Sequence, residues 1–467
     1  MIARLDDISA PTRQLSEYIA KAVTRPLPDA VAEKARHHVL DTIAAMVSGS
    51  QLQPGRMAIG YVASLGGAPE ASVIGTQIRT SAVNAALANG MLAHADETDD
   101  SHAPSRTHPG CAVIPAALAV AERTRASGEA FLRAVVLGYD VAARANYSIG
   151  ADAFAAASRS THSVGGVFGA GAAAAALLGF DAVQVRHLLS YCAQQASGVG
   201  CNVRDSEHIE KAFDFGGMPA RNGVAAATMV AHGFTGIDDV FAGERNFFEA
   251  YAPEPDPSQL AEALGERFEI LSTNIKKWSV GSPAQSALDA LTCLMESEKP
   301  VPGEITAIRV HLPTRSARTV DNAPMPDVNV QHLMALLLVD GRLTFHSAHD
   351  HGRMTDRAVL AVRRNIELVP SQELMEARPR RQAIVEIVLR DGRRLSHRTI
   401  AVRGTADNPM TRDEVEAKAL DLMAGRLGPE RARALVSACR TVERCRDMTE
   451  FRRLWQASAH GQEAGHQ

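Results

Sequence analysis

Apolar residues recur at helical spacing through more than half of this chain, from Thr12 to about Phe268. In the segment AVAEKARHHVLDTIAAMV they fall on roughly one stripe of a helix, which predicts an amphipathic helix. The stripe consists of Ala30, Val31, Ala35, Val39, Ile43 and Met46. Aromatic residues make up only 4% of the chain, so small apolar side chains have to fill the core, which favours closely packed helices. This part of the chain predicts a large all-helical domain.

The pattern changes after Phe268, where β-branched residues become frequent. The runs EITAIRVHL and RQAIVEIVLRDGRRLSHRTIAV predict strands, with Asp391-Gly392 as a hairpin turn. Between these runs, PDVNVQHLMALLLVDG and DRAVLAVRRNI predict helices. Helices return at Thr411, with Glu414 at the spacing of a capping box.

A chain of 467 residues exceeds what one hydrophobic core normally serves, so we expect two domains. The first is a large all-helical domain of residues 10–268, completed by 404–458. The second is a smaller α+β domain of residues 269–403. The expected fold class is therefore mainly α, and residues 459–467 are expected to form a disordered tail.

Charge and cysteine usage narrow the classes of partner. The net charge of −4, without a Lys/Arg run interleaved with aromatic residues, argues against nucleic-acid binding. The 6 cysteines form no CxxC pair, so neither a disulfide framework nor a thiolate zinc site is indicated. The N-terminal MIARLDDISAPTRQ lacks the apolar core of a signal peptide, and the longest apolar stretch, AAAAALLGF, is short of a membrane span. We expect a cytoplasmic protein with a small-molecule partner and no membrane partner.

One stretch, HADETDDSHAPSRTHPG at residues 94–110, concentrates chemistry-bearing side chains. Its prolines prevent one continuous helix, which predicts a helix end that runs into a loop. If the helix reached far enough, Glu97 and Ser101 would share one face. Three interpretations are open: a metal site using His94, Asp96 and His102, a solvated charged surface, or an acid/base site. We favour the acid/base site, because histidine titrates near neutrality and the carboxylates can orient it.

The longer run NGMLAHADETDDSHAPSRTHPG resembles the hallmark of the MmgE/PrpD family. Four further segments occur in that family's order: VLDTIAAMVSG, THSVGGVFGAGAAAAALLGF, ARNGVAAATMVAHGFTG and NIKKWSVGSPAQ. The family includes 2-methylcitrate dehydratase, cis-aconitate decarboxylase and iminodisuccinate epimerase. The resemblance implies a helical domain, an α+β lid, a homodimer, and chemistry on di- or tricarboxylates without metal or other cofactor.

The resemblance also implies site residues. The catalytic positions match Glu97, His108, His162 and Lys276, and the substrate-binding positions match Ser101 and Arg221. Several residues depart from the family pattern. Glu97 replaces the usual Asp, Trp278 replaces Tyr, Gln285 replaces His, Thr319 stands where the decarboxylase branch has Tyr, and RDSEHIEKAFDFGGM is unusually acidic.

Dehydration, decarboxylation and epimerisation of such acids share a carbanion-like centre beside a carboxylate. A site for them needs a proton carrier and cations that hold carboxylates. We expect His108, His162 and Lys276 to converge between the helical domain and the lid. The predicted function is a cofactor-independent lyase of the dehydratase type, with an epimerase, a decarboxylase or an inactive polycarboxylate-binding protein as alternatives. The glycines of THSVGGVFGAG are expected to serve close helix packing rather than phosphate binding.

Overall fold

The computed structural model describes residues 8–456. Helices account for 61% and strands for 9% of the structure, which confirms the predicted mainly α class with a smaller α+β part. The described residues form two compact units, the first of residues 8–273 and 415–456 and the second of Asn274–Glu414. The tail expected at 459–467 lies outside the described residues.

The second unit begins at Asn274 and ends at Glu414, whereas the sequence pattern placed its limits at 269 and 403. The two connecting segments bind each other, since the backbone N–H of Ile275 donates to the carbonyl of Gly404 over 3.0 Å. The limits were predicted from hydrophobic periodicity, which does not report pairing between distant segments. The predicted and observed limits therefore differ.

In the described residues of the first unit the regular secondary structure is helical, apart from two short paired strands. Up to the second unit they are Ala10–Lys21 (α1), Asp29–Gly49 (α2), Gln53–Leu65 (α3), Ala82–Ala93 (α4), Pro109–Thr124 (α5), Gly128–Ser148 (α6), Ala151–Ala156 (α7), Thr161–Leu178 (α8), Ala182–Gln195 (α9), Ile209–Ala212 (α10), Met218–Ala231 (α11) and Phe247–Tyr251 (α12), with strands Ala71–Ser72 (β1) and Arg79–Thr80 (β2) between α3 and α4. The stripe predicted on α2 is buried except at Ala30, which is exposed in the first turn.

Helix α8 packs against α5, α6, α9 and α11, and nearly all of its residues are buried. Its glycines permit this close approach. A Cβ on Gly169 would lie 2.5 Å from the carbonyl oxygen of Gly138, and one on Gly166 would lie 2.8 Å from the Cβ of Pro219. The prediction that these glycines serve helix packing is confirmed.

The same helix is also long and apolar enough to cross a membrane, because it spans 18 residues with a hydropathy of 1.3. The run AAAAALLGF, which the sequence offered as the longest apolar stretch, covers only the last seven residues of this helix and the two that follow it. In the structure 83% of this helix is buried, as is usual for the core helix of a helical domain.

The second unit combines a four-stranded sheet with helices, in the strand order β4-β3-β5-β6. Its elements are Gln285–Ser297 (α13), Ile305–Pro313 (β3), Thr314–Val320 (α14), Val330–Asp340 (α15), Phe345–His349 (α16), Arg357–Arg363 (α17), Ile366–Ser371 (β4), Gln372–Glu376 (α18), Ala383–Leu389 (β5) and Arg394–Thr399 (β6). The predicted hairpin joins β5 to β6, with Gly392 at a φ of +87°. Strand β4, which pairs in parallel with β3, was not predicted from the sequence.

Alternate residues of β5 are buried, so one face of this sheet packs on the core of the second unit. The chain returns to the first unit within Arg412–Leu427 (α19), and Pro429–Arg440 (α20) and Arg452–Trp455 (α21) follow. The capping box predicted before α19 is confirmed. The N–H of Glu414 donates to Oγ1 of Thr411 over 3.3 Å, and the Glu414 carboxylate accepts from the N–H of Thr411 over 2.8 Å.

Candidate active site

The histidine- and carboxylate-rich stretch forms a loop between α4, which ends at Ala93, and α5, which begins at Pro109. A proline at the first position of a helix is favoured because its missing N–H would have no partner there. The predicted helix end and loop are therefore confirmed. The prediction that Glu97 and Ser101 share one face of a helix is wrong, because α4 ends before either residue.

Most of the loop is buried rather than solvated, although Ala103 and Pro104 are exposed. Asp99 and Asp100 are fully buried and Asp96 is 3% exposed, so the interpretation as a solvated charged surface is wrong for these carboxylates. Each of these carboxylates needs polar partners, since a buried charge without them is costly. Asp96 accepts from the N–H and the hydroxyl of Thr98, over 3.0 and 2.6 Å.

Asp99 lies between two histidines. Its Oδ2 is 2.9 Å from Nδ1 of His94 and 3.1 Å from Nδ1 of His108. The two rings meet edge to face, with centroids 5.2 Å apart. A carboxylate at Nδ1 fixes the orientation of an imidazole and leaves Nε2 to exchange protons. His108 suits that role because its side chain remains 13% exposed.

His162 lies next to His108, with ring centroids 5.2 Å apart, and stacks on Phe215 at a centroid distance of 3.6 Å. Phe215 also stacks on His94, at 4.5 Å. Burial lowers the pKa of His162 well below its usual range, and the positive charges that neighbouring histidines and Lys211 can carry add to this effect. The structure thus places His162 beside His108, in surroundings that favour the neutral imidazole.

Phe215 belongs to a π-helical segment, Phe213–Gly217, which joins α10 to α11. The widened turn lies in the acidic stretch that departs from the family pattern. Asp214 in the same segment accepts from the hydroxyl of Ser160 over 2.5 Å and from the amide of Asn202 over 2.7 Å. Because Ser160 is the N-cap of α8, Asp214 connects the π-helical segment to the helix that begins just before His162.

Lys211 pairs with Glu97, and its ammonium lies 5.3 Å from the centroid of the Phe215 ring. Lys211 was not predicted from the sequence, in which the basic position was matched to Arg221. In the structure Arg221 donates to Asn222 over 3.1 Å and lies over the ring of Phe213, so its contacts are with residues outside the histidine cluster. One feature of the sequence could have indicated Lys211: it is the single lysine of the acidic segment RDSEHIEKAFDFGGM.

His208 completes the cluster, with its ring centroid 5.0 Å from that of His94. It is 4% exposed, and burial lowers its pKa to about 3. Its backbone has a φ of +61°, which is uncommon for a residue other than glycine. Sequence reasoning named neither His208 nor Asp99 as a site residue.

Other candidate residues have different surroundings. Ser101 is buried in the loop. Lys276 is buried in the second unit, so its role stays a prediction. Gln285 donates to the carbonyls of Trp278 and Val280, over 2.8 and 3.0 Å, and so holds a turn of the backbone where many family members carry a histidine. Thr319 is exposed on α14.

Two groups of side chains could hold a metal ion by distance, since their ligand atoms lie within 4.8 Å of one another. They are His94 with Asp99 and Cys111, and His94 with Glu97 and His208. In the second group the ammonium of Lys211 already binds Glu97 and would compete with a metal cation. Neither group is the set of His94, Asp96 and His102 considered in the sequence analysis.

Comparison with known proteins adds the family and three relatives. The family models of the MmgE/PrpD N-terminal and C-terminal domains match residues 13–260 and 278–443. The cis-aconitate decarboxylase-like protein oryM of Aspergillus oryzae is 25% identical over 94% of this chain and 96% of its own length. Two cis-aconitate decarboxylases of Aspergillus terreus are 27% and 26% identical, over 48% and 51% of this chain and 46% and 49% of their own lengths.

Proposed function

The chain belongs to the MmgE/PrpD family, and from this premise we propose that it is a cofactor-independent lyase of the dehydratase type that acts on a small di- or tricarboxylic acid. The observation that carries the proposal is the adjacent pair of His108 and His162 in different environments. Dehydration beside a carboxylate requires both a base for a carbon-bound proton and an acid for the departing hydroxyl.

We assign the base to His162, because its depressed pKa keeps the imidazole neutral at physiological pH. His108, held through Nδ1 by Asp99, is the acid. The base takes the proton from carbon, and the electron pair of that C–H bond forms the double bond. The hydroxyl leaves as water after it takes a proton from His108.

Negative charge that develops on the substrate needs cations, and we assign Lys211 to this task. Its ammonium binds the carboxylate of Glu97, so a substrate carboxylate can share or displace that contact. Ser101 and Arg221 remain proposed substrate contacts.

Lys276 is the fourth proposed catalytic residue. We expect Lys276→Met to lower kcat/KM by about tenfold or more, because methionine keeps much of the length and removes the charge. Lys277→Met is the matched control, since the Lys277 ammonium lies over the ring of Trp278 at 4.6 Å. Equal effects of the two substitutions would contradict the assignment.

A decarboxylase is the second candidate, favoured by the names of the three relatives. An epimerase is the third, because two adjacent histidines could serve opposite faces of one carbon. Incubation of the protein with hydroxy-tricarboxylates, cis-aconitate and chiral dicarboxylates in deuterated water separates them. A dehydratase forms or hydrates an alkene without releasing CO2, a decarboxylase releases CO2, and an epimerase exchanges a carbon-bound proton without forming an alkene. Binding without turnover of any acid would contradict all three and favour a binding protein.

We further propose that the protein is a cytoplasmic homodimer whose partners include neither nucleic acid nor membrane. Its cysteines, all of them free, suit a reducing compartment. Light scattering at several protein concentrations tests the dimer.

A further inference from the structure

Helix α19 carries a buried lysine, Lys418, that contacts the loop between α4 and α5. The ammonium of Lys418 donates to the backbone carbonyl of Thr98 over 3.0 Å, although 320 residues separate the two in sequence. The same ammonium lies 2.7 Å from Oδ1 of Asp41 on α2. The side chains of Lys418 and Asp41 are 5% and 0% exposed, so this contact is shielded from water.

Each charge of this buried pair has lost its hydration, so removal of one partner leaves the other uncompensated. Burial raises the pKa of Asp41 to about 6 even though Lys418 opposes that rise. Removal of the lysine would therefore leave a buried carboxyl group without its cation and the carbonyl of Thr98 without this donor.

The residue two positions further along the loop is held independently. The carboxylate of Asp100 accepts from the hydroxyl of Tyr139 over 2.5 Å and from the N–H of Gly110 over 3.0 Å. Nδ1 of His38 lies 2.8 Å from the same carboxylate. Asp99, which contacts both His94 and His108, thus lies between two anchored neighbours.

We propose that Lys418 is a positioning residue for the reaction: by holding the carbonyl of Thr98 it fixes Asp99 against His108. The inference rests on the proposed function, since it assigns Lys418 to the geometry of proton transfer. Helix α19 thereby has a role at the site. It follows the second unit in sequence, yet its Lys418 contacts the loop that carries the proposed acid, His108.

The test compares Lys418→Met with Glu416→Gln on the same helix α19. The control removes an ion pair at 2.6 Å between Glu416 and Arg440 of α20 and leaves the loop contacts in place. In Lys418→Met we expect kcat to fall about tenfold or more while KM stays within about threefold, because the groups that transfer protons lose their alignment. Lys418→Arg should recover part of kcat, and Glu416→Gln should match the wild type.

Hydrogen exchange provides a readout that needs no turnover. Amide exchange in peptides covering residues 94–108 should become faster in Lys418→Met, with peptides of α8 and of the second unit unchanged. Unchanged loop exchange, or faster exchange throughout the protein with wild-type kcat, would overturn the inference. If Lys418→Met does not fold, Asp41→Asn removes the carboxylate that pairs with the Lys418 ammonium. Exchange of the same loop peptides should then become faster, by less than in Lys418→Met because Lys418 can still donate to Thr98. A wild type without turnover contradicts the proposed function, whereas the exchange experiment still decides whether Lys418 holds the loop.

Discussion

Asp99 is the side chain through which the proposed acid is oriented, since its Oδ2 lies close to Nδ1 of both His94 and His108. One carboxylate that contacts two imidazoles limits the orientations open to either ring. Fixed orientation matters because a misplacement of about 1 Å can lower the rate about a hundredfold.

Replacement of His108 by Gln keeps a hydrogen-bonding side chain beside Asp99 but removes the proton carrier. We expect kcat to fall by about a hundredfold or more, with binding of the substrate largely intact. His232→Gln is the control, because His232 is exposed at the end of α11, and it should keep the wild-type rate. Wild-type turnover in His108→Gln would leave this histidine a structural role only.

Lys211 and Arg221 compete for the role of the substrate-binding cation, and paired substitutions separate them. Lys211→Met should raise KM and lower kcat, together costing about tenfold or more in kcat/KM, because Lys211 contacts Glu97 in the cluster. Arg221→Met should have the smaller effect, since its contacts are Asn222 and Phe213. Steady-state kinetics on one substrate decide the order, and a larger loss at Arg221 would reinstate the assignment made from sequence.

At the scale of elements, the site depends on how closely the π-helical segment approaches α4. A Cβ on Gly90 of α4 would lie 2.4 Å from the carbonyl oxygen of Gly216, and one on Gly216 would lie 2.1 Å from the carbonyl oxygen of Gly90. These two glycines let the backbones approach closely, and this contact positions Phe215 of the π-helical segment and Lys211 of the preceding α10. π-helical turns within α-helices are frequent at functional sites, in keeping with this arrangement.

Gly90→Ala should therefore separate the two elements. We expect a loss of about 1–3 kcal/mol in the free energy of unfolding, because the added methyl group meets backbone that cannot move freely. Activity should fall with it, as Phe215 and Lys211 shift. Gly60→Ala is the matched control: Gly60 lies inside α3 with nothing near its Cβ position, so alanine there should stabilise by up to about 1 kcal/mol. Denaturant titration measures both, and equal effects would contradict the close contact.

For the whole molecule, burial of titratable groups sets how stability depends on pH. Burial lowers the pKa of His38 to about 4 and that of His208 to about 3, and it raises the pKa of Asp41 to about 6 and of Asp140 to about 7. Below pH 6.5 the unfolded chain binds protons at the histidines that the folded chain does not, so these groups destabilise the fold as pH falls. The two carboxyl groups act in the opposite direction, since the folded chain holds their protons at higher pH.

The contribution of one histidine is isolated by comparing variants. Between pH 7 and pH 5 the wild type should lose about 2 kcal/mol of stability through His208 that His208→Asn does not lose. Asparagine suits the positive φ at this position, and the opposing carboxyl groups are the same in both proteins. Urea titrations at the two pH values give the difference. His232→Asn should follow the wild-type dependence, and an identical dependence in His208→Asn would show that His208 does not stay neutral in the fold.

Sequence alone determined the features that depend on local pattern. Hydrophobic periodicity gave the helices of the first unit, β-branched runs with Asp391-Gly392 gave the β5–β6 hairpin, and the spacing of Thr411 and Glu414 gave the cap of α19. Prolines placed a loop between α4 and α5. These predictions succeed because the physical cause lies within a few residues of the chain.

Only the tertiary structure decided which side chains meet. Lys211 was overlooked because its partner, Glu97, is 114 residues away in sequence, and Arg221 was chosen from its place in a motif. Strand β4 was missed because its pairing with β3 is parallel and distant, and the burial of Asp99 and Asp100 could not be read from a run of carboxylates that is usually solvated. Contacts between distant segments arise from the packing of the whole chain. Local composition therefore does not predict them.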